Sequence, residues 1–166
     1  MDKFTKEKRS EIMSLIRGKG NLSTELKLIG LMRERKISGW RRGSNLPGHP
    51  DFVFPRARLA VFVDGCFWHG CPKHCRLPKT NKKFWHTKID RNKRRDRAVT
   101  RKLKSLDWRV MRIWAHALDN KSAPRTITRL LRNLALNETI RQKITEQNTF
   151  TYPTPESSVL IAAEDE

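Results

Sequence analysis

The sequence predicts an α/β sandwich built on a small mixed sheet. Three observations lead there. Helical and strand-like patterns alternate along the chain in the order helix, three strands, helix, strand, helix. The run LAVFV at 59–63 is continuously apolar, as expected of a central strand covered on both faces. The chain has 166 residues, of which 37% are apolar, enough for one core without disulfides.

The elements follow in order. Residues 6–17 read as a first short helix with Ile12, Met13 and Ile16 on one face, ended by Gly18 and Gly20. A second helix begins at Ser23 or Thr24, either of which can cap it, and Leu28, Ile29, Leu31 and Met32 form its apolar stripe. Gly39 and Gly43 bracket a short strand around Trp40, and GSNLPGHP is a loop by its Gly, Pro and Asn content. Strands follow at 51–54, stopped by Pro55, and at 59–63. Residues 65–81 are irregular. A long helix covers about 84–105, a further strand 108–114, and a last helix opens at Pro124 and runs to about Leu136. From about Thr145 onward the composition reads as a poorly ordered tail.

Charge narrows the choice of partner. Lys and Arg number 36 against 17 Asp and Glu, a formal net charge of +19. Such an excess points to a polyanion, and nucleic acid fits better than a membrane surface, because no apolar run approaches the length of a span. The residues behind MDKF lack the apolar stretch of a secretory signal, so an intracellular protein is expected. Three cysteines, Cys66, Cys71 and Cys75, fall within ten residues. An odd count in a reducing compartment argues for metal binding or packing rather than disulfides.

The segment DGCFWHGCPKHC at 64–75 spaces Cys66, Cys71 and His74 as zinc ligands. Zinc favours four Cys or His donors in a tetrahedron and supplies folding energy to a loop with little core. His116, which follows the 108–114 strand, is the best fourth ligand if that strand neighbours 59–63. Cys75 is an alternative to His74. The bland reading is buried thiols beside incidental histidines.

Metal-dependent phosphodiester cleavage needs oxygen ligands for Mg²⁺ and a base for water. Asp51 opens one strand and Asp64 closes the next. If the two pair as a hairpin, both carboxylates lie at one edge of the sheet, with the Val63 carbonyl as a further ligand. His69 suits a general base, with a zinc ligand or packed ring as the alternatives. The bland readings are a strand-start cap for Asp51 and a turn former for Asp64. Glu25 sits in the first turn of its helix, where favourable contact with the helix dipole is the simpler role.

Aromatic residues border the basic surface. Phe67 and Trp68 lie in the metal loop, and Phe84 and Trp85 open the long helix. Rings so placed can stack on bases or wedge between base pairs, whereas Phe84 is expected to pack into the core. Residues 82–104 hold eleven Lys or Arg and two acids, Asp90 and Asp96. This helix is expected to track phosphates, with Lys88, Arg91, Arg94 and Arg95 among its DNA contacts.

With these residues in view, the sequence resembles the very short patch repair (Vsr) endonucleases. The matching segments are RSEIMSLIRGKGN, Glu25, LPGHPDFVF, VFVDGCFWHGCPKH, PKTNKKFWHTKIDRNKRRD and WRVMRIWAHAL. The resemblance implies a restriction-endonuclease-like fold of the PD-(D/E)XK type, an αβββαβ core with a structural zinc site, over residues 1–140, with 141–166 as a tail. It implies Mg²⁺-dependent nicking of double-stranded DNA beside a T:G mispair left by 5-methylcytosine deamination. It also implies a monomer in the bacterial cytoplasm, at the nucleoid, working with other DNA repair proteins. Residue by residue, Asp51, Val63 and Asp64 would hold Mg²⁺, His69 would be the base, and Glu25 becomes an active-site residue. Phe67, Trp68 and Trp85 become the aromatic wedge, and Cys66, Cys71, His74 and His116 the Zn²⁺ ligands. Two other readings stay open: a nicking or restriction-type nuclease on matched DNA, and a zinc-stabilised DNA-binding module without catalysis.

Overall fold

A computed structural model describes residue 5 and residues 24–148 of the chain, with side chains to residue 135. The helix expected at 6–17 and the tail beyond 148 lie outside the described residues.

Three strands form one mixed sheet in the order β1-β2-β3. β1 (Phe52–Phe54) runs antiparallel to β2 (Leu59–Asp64), and β2 runs parallel to β3 (Arg109–Trp114). The hairpin is closed by a tight turn in which the Arg58 N–H donates to the Pro55 carbonyl at 3.1 Å. The expected strand around Trp40 is reduced to a single antiparallel bridge between Arg41 and Val53. Trp40 is instead fixed by its side chain. Its Nε1–H donates to the Ile37 carbonyl at 3.2 Å, and its ring meets Phe52 edge-on at 5.6 Å.

Helices cover both faces, as the buried character of β2 requires. On one face, Leu28, Ile29 and Met32 of α1 (Glu25–Glu34) and Ile127 and Leu130 of α3 (Ala123–Asn148) pack on Phe52, Leu59, Val61, Met111 and Ile113. On the other, Leu103 and Val99 of α2 (Lys82–Ser105) pack on Ala60, Phe62 and Val110. Strand alternation explains the split, since odd residues of β2 face one layer and even residues the other. α3 runs to Asn148, well past the expected end near Leu136.

α2 is the crossover that parallel strands demand. Arg58 ties its far end to the sheet. The guanidinium donates to the carbonyls of Leu106 and Asp107 at 2.6 and 3.0 Å and lies 5.8 Å from the Trp108 ring. Among the described residues, no helix is long and apolar enough to cross a membrane.

Candidate active site

The hairpin brings Asp51, just before β1, and Asp64, the last residue of β2, to the same end of the sheet. Asp51 accepts a hydrogen bond from the Val63 N–H at 2.7 Å, which fixes its carboxylate against β2. Burial pushes its pKa from 3.8 up to about 6; the Val63 N–H opposes the rise, the fields of Glu25 and Asp64 add to it, and Arg42 opposes it. Glu25 is buried at 5% exposure and is paired with Arg42. The helix-dipole role is therefore not its only contact, because its carboxylate reaches the same place as Asp51. Glu25, Arg42, Ser44, Asn45, His49 and Asp51 line a cavity of about 330 Å³.

Asp64 is 4% exposed and does not line this cavity. Its two oxygens are gripped by Arg112 of β3, with Nε and Nη2 each at 2.6 Å. The expected placement of Asp64 at the sheet edge holds, but its carboxylate is engaged by an arginine, because Arg112 pairs with Phe62 in the register and reaches along the same face. His69 stands beside this pair. Its Nδ1 is 2.7 Å from Asp96 Oδ2 and 3.6 Å from Asp64 Oδ1. Arg112 Nη2 also reaches Asp96 Oδ1 at 3.1 Å. A carboxylate only accepts, so Asp96 fixes the hydrogen of His69 on Nδ1 and leaves Nε2 free to accept.

Asp96, Arg112 and Arg42 escaped the sequence reading. Asp96 carried one signal, being one of two acids in a helix of cations. Arg112 and Arg42 carried none, since their partners lie across the fold.

The loop after β2 is a run of turns. The Cys71 N–H donates to the Cys66 carbonyl at 2.8 Å and the Cys75 N–H to the Cys71 carbonyl at 3.0 Å. Cys66, Cys71, His74 and His116 converge, with donor atoms all within 4.8 Å of one another. Cys66 Sγ is 3.1 Å from His116 Nδ1, and Cys71 Sγ is 3.7 Å from both His74 Nδ1 and His116 Nδ1. A tetrahedral zinc with thiolate and imidazole ligands has S···N edges of about 3.6 Å, so the set fits that ion. Burial holds the His116 pKa below its usual value, with the fields of His74 and Lys73 adding and Asp119 opposing, a direction that favours the neutral ring a metal requires. Cys75 Sγ lies 3.6 Å from the Phe67 carbonyl, and it is His74, not Cys75, that joins the cluster.

The aromatic residues form one cluster. Phe67 meets Trp68 at 5.1 Å and Trp85 at 5.2 Å, both edge-on, and Phe84 meets Trp85 at 5.2 Å. Phe84 is 60% exposed, contrary to the expected core packing, because its ring contact is with its helix neighbour Trp85 and not with the core. Arg91, Arg94 and Arg95 are exposed on α2, and Lys88 is half-buried.

Comparison with known proteins gives a consistent answer. Residues 1–77 match the family model described as DNA mismatch endonuclease Vsr. The Type II nicking enzyme V.NmeDIP of Neisseria meningitidis serogroup C is 42% identical over 123 residues, 70% of this chain and 79% of that protein. The DNA mismatch endonuclease Vsr of Escherichia coli is 36% identical over 120 residues, 70% of this chain and 75% of that protein. The Type II nicking enzyme V.NaeI of Lentzea aerocolonigenes is 48% identical over 84 residues, and the chain spans about half of that relative, 51%. By extended similarity to endonucleases of this kind, the chain belongs to the Vsr family.

Proposed function

We propose that the protein is a divalent-metal-dependent endonuclease that nicks one strand of double-stranded DNA beside a T:G mispair, on a restriction-endonuclease-like core of the PD-(D/E)XK type. One observation carries the reading: a carboxylate made costly to ionise, Asp51, faces a cavity shared with Glu25, at the same end of the sheet as Asp64, which adjoins an imidazole held by Asp96.

The surplus of carboxylate at Asp51 and Glu25 fits a cation. Asp51 and the Val63 carbonyl would hold Mg²⁺, with Glu25 nearby; Asp64, read as a third ligand, is assigned instead to the His69 side because Arg112 occupies it. The ion supplies charge neutralisation at the scissile phosphate and acidifies water. His69, with Nδ1–H directed at Asp96, accepts a proton from water at Nε2. The basic face of α2 holds the phosphates, and Phe67, Trp68 and Trp85 offer ring faces to an unstacked base step. Cys66, Cys71, His74 and His116 would hold a structural Zn²⁺, which would fix the loop carrying His69 and the wedge.

A second reading, nicking at a matched site, is favoured by the names of relatives such as V.NmeDIP and V.NaeI, which are Type II nicking enzymes. Incubation with Mg²⁺ and duplexes differing only in T:G or C:G at one position separates the two. Nicking of the T:G duplex alone is expected. Equal nicking of both favours the second reading, and binding without nicking defeats both.

A further inference from the structure

The Arg112 side chain lies between two carboxylates and has no part in the activity proposed above. Its guanidinium sits 4.8 Å from the Phe62 ring, packed flat against the sheet. It grips both oxygens of Asp64 at 2.6 Å and touches Asp96 at 3.1 Å through the same Nη2. Its Nη1 is buried and has no hydrogen-bond partner among the described residues, so its polar contacts in the fold run through Nε and Nη2 to these two acids. Asp64 and Asp96 both lie near one nitrogen, His69 Nδ1, at 3.6 and 2.7 Å. Two carboxylates competing for a single N–H would repel each other and leave the ring with two resting orientations. The arginine removes that ambiguity. A bidentate grip draws Asp64 towards β3, and Asp96 is left as the near acceptor.

We propose that Arg112 is a positioning residue: by clamping Asp64 and bridging to Asp96, it gives His69 one orientation, with Nδ1–H on Asp96 and Nε2 turned outward. The proposal rests on the nuclease reading for its effect on rate, but not for its effect on the ring. Arg112 acts through the two acids it holds. Misplacing a catalytic base by a fraction of a bond length costs rate and leaves binding alone.

The test uses the full-length protein in three forms: Arg112→Met, Arg112→Lys and the double variant Asp64→Asn/Arg112→Met. The Nδ1–H proton and ¹⁵N chemical shifts of His69 report which acid accepts its hydrogen bond, with or without turnover. The hydrogen stays on Nδ1 whichever acid accepts it, so the parent is expected to show one Nδ1–H resonance and Arg112→Met two, or one broadened by exchange between the two acceptors. Its nicking rate constant should fall about 10- to 100-fold with the DNA dissociation constant unchanged. The double variant, which removes the competing acid together with its clamp, should regain the single resonance and most of the rate. Arg112→Lys keeps the charge without the two-pronged grip and should fall between. If Arg112→Met does not fold, the comparison of Arg112→Lys with the parent still decides. A folded variant that keeps one unbroadened Nδ1–H resonance overturns the proposal, as does a double variant no better than the single. A split or broadened Nδ1–H resonance in Arg112→Met, of a parent protein that nicks no DNA, would instead keep the clamp and refute the nuclease reading.

Discussion

Burial lifts the Asp51 carboxyl to about 6 against the pull of the Val63 N–H, with Glu25 and Asp64 adding to the rise. A raised pKa means that the folded state holds this proton more tightly than the unfolded chain does. Without a cation, the site therefore costs stability as pH climbs from about 4 through about 6. A divalent ion bound by the ionised form reverses that cost. Magnesium is thus expected to raise the melting temperature more above about pH 6 than below it. Asp51→Ala should abolish this pH-dependent rise and slow nicking by about 10³-fold, several kcal/mol of charge stabilisation, with DNA affinity nearly intact. An equal magnesium response in the variant would place the ion elsewhere. At this scale the sequence was informative where chemistry is local. Asp51 and Asp64 stand at one end of the sheet as the hairpin argument placed them, His69 lies beside Asp64, and the four zinc-type donors converge. Asp96 and Arg112 were illegible because their meaning lies in a helix crossing over a strand, which no local pattern encodes.

The elements were legible in proportion to their periodicity. β2, β3 and α2 begin and end within two residues of their expected bounds, since continuous apolar runs and a long basic helix are strong signals. The strand at Trp40 was not, because one aromatic between glycines resembles a strand, yet its ring is spent on Phe52. α3 outruns its expected end because the polar residues past Leu136 contain no breaker until Pro153. One junction between elements governs the site. Gly48, in the loop leading to Asp51, has φ +77 and lies against Val99 of α2, so closely that a Cβ there would collide with both methyl groups. Gly48→Ala combines backbone strain with a clash against a stiff side chain. It should destabilise the fold by about 2 kcal/mol or more in urea unfolding and lower activity by shifting Asp51. A neutral result would mean that the loop can reseat without moving the carboxylate.

For the molecule as a whole, the cluster of Cys66, Cys71, His74 and His116 matters through where its members come from. Cys66 follows β2 and His116 follows β3, so an ion there would rivet the ends of two adjacent parallel strands and the irregular loop between them. Cys66→Ser is expected to lose one equivalent of zinc by elemental analysis and to melt at a lower temperature, with the loop carrying His69 and the aromatic cluster loosened first. Recovery of the parent protein free of zinc, with melting indifferent to chelator, would dismiss the ion.

The parallel pairing of β2 with β3 has a consequence in time. The partners of a crossover cannot meet until the helix between them has been made, and closing so long a loop is slow compared with forming a hairpin. Asp51 and Asp64 emerge early from the ribosome, but Arg112 and His116 come about fifty residues later. Translation must pass both before the Asp64–Arg112 clamp and the Cys–His cluster can assemble, so a half-synthesised chain holds neither.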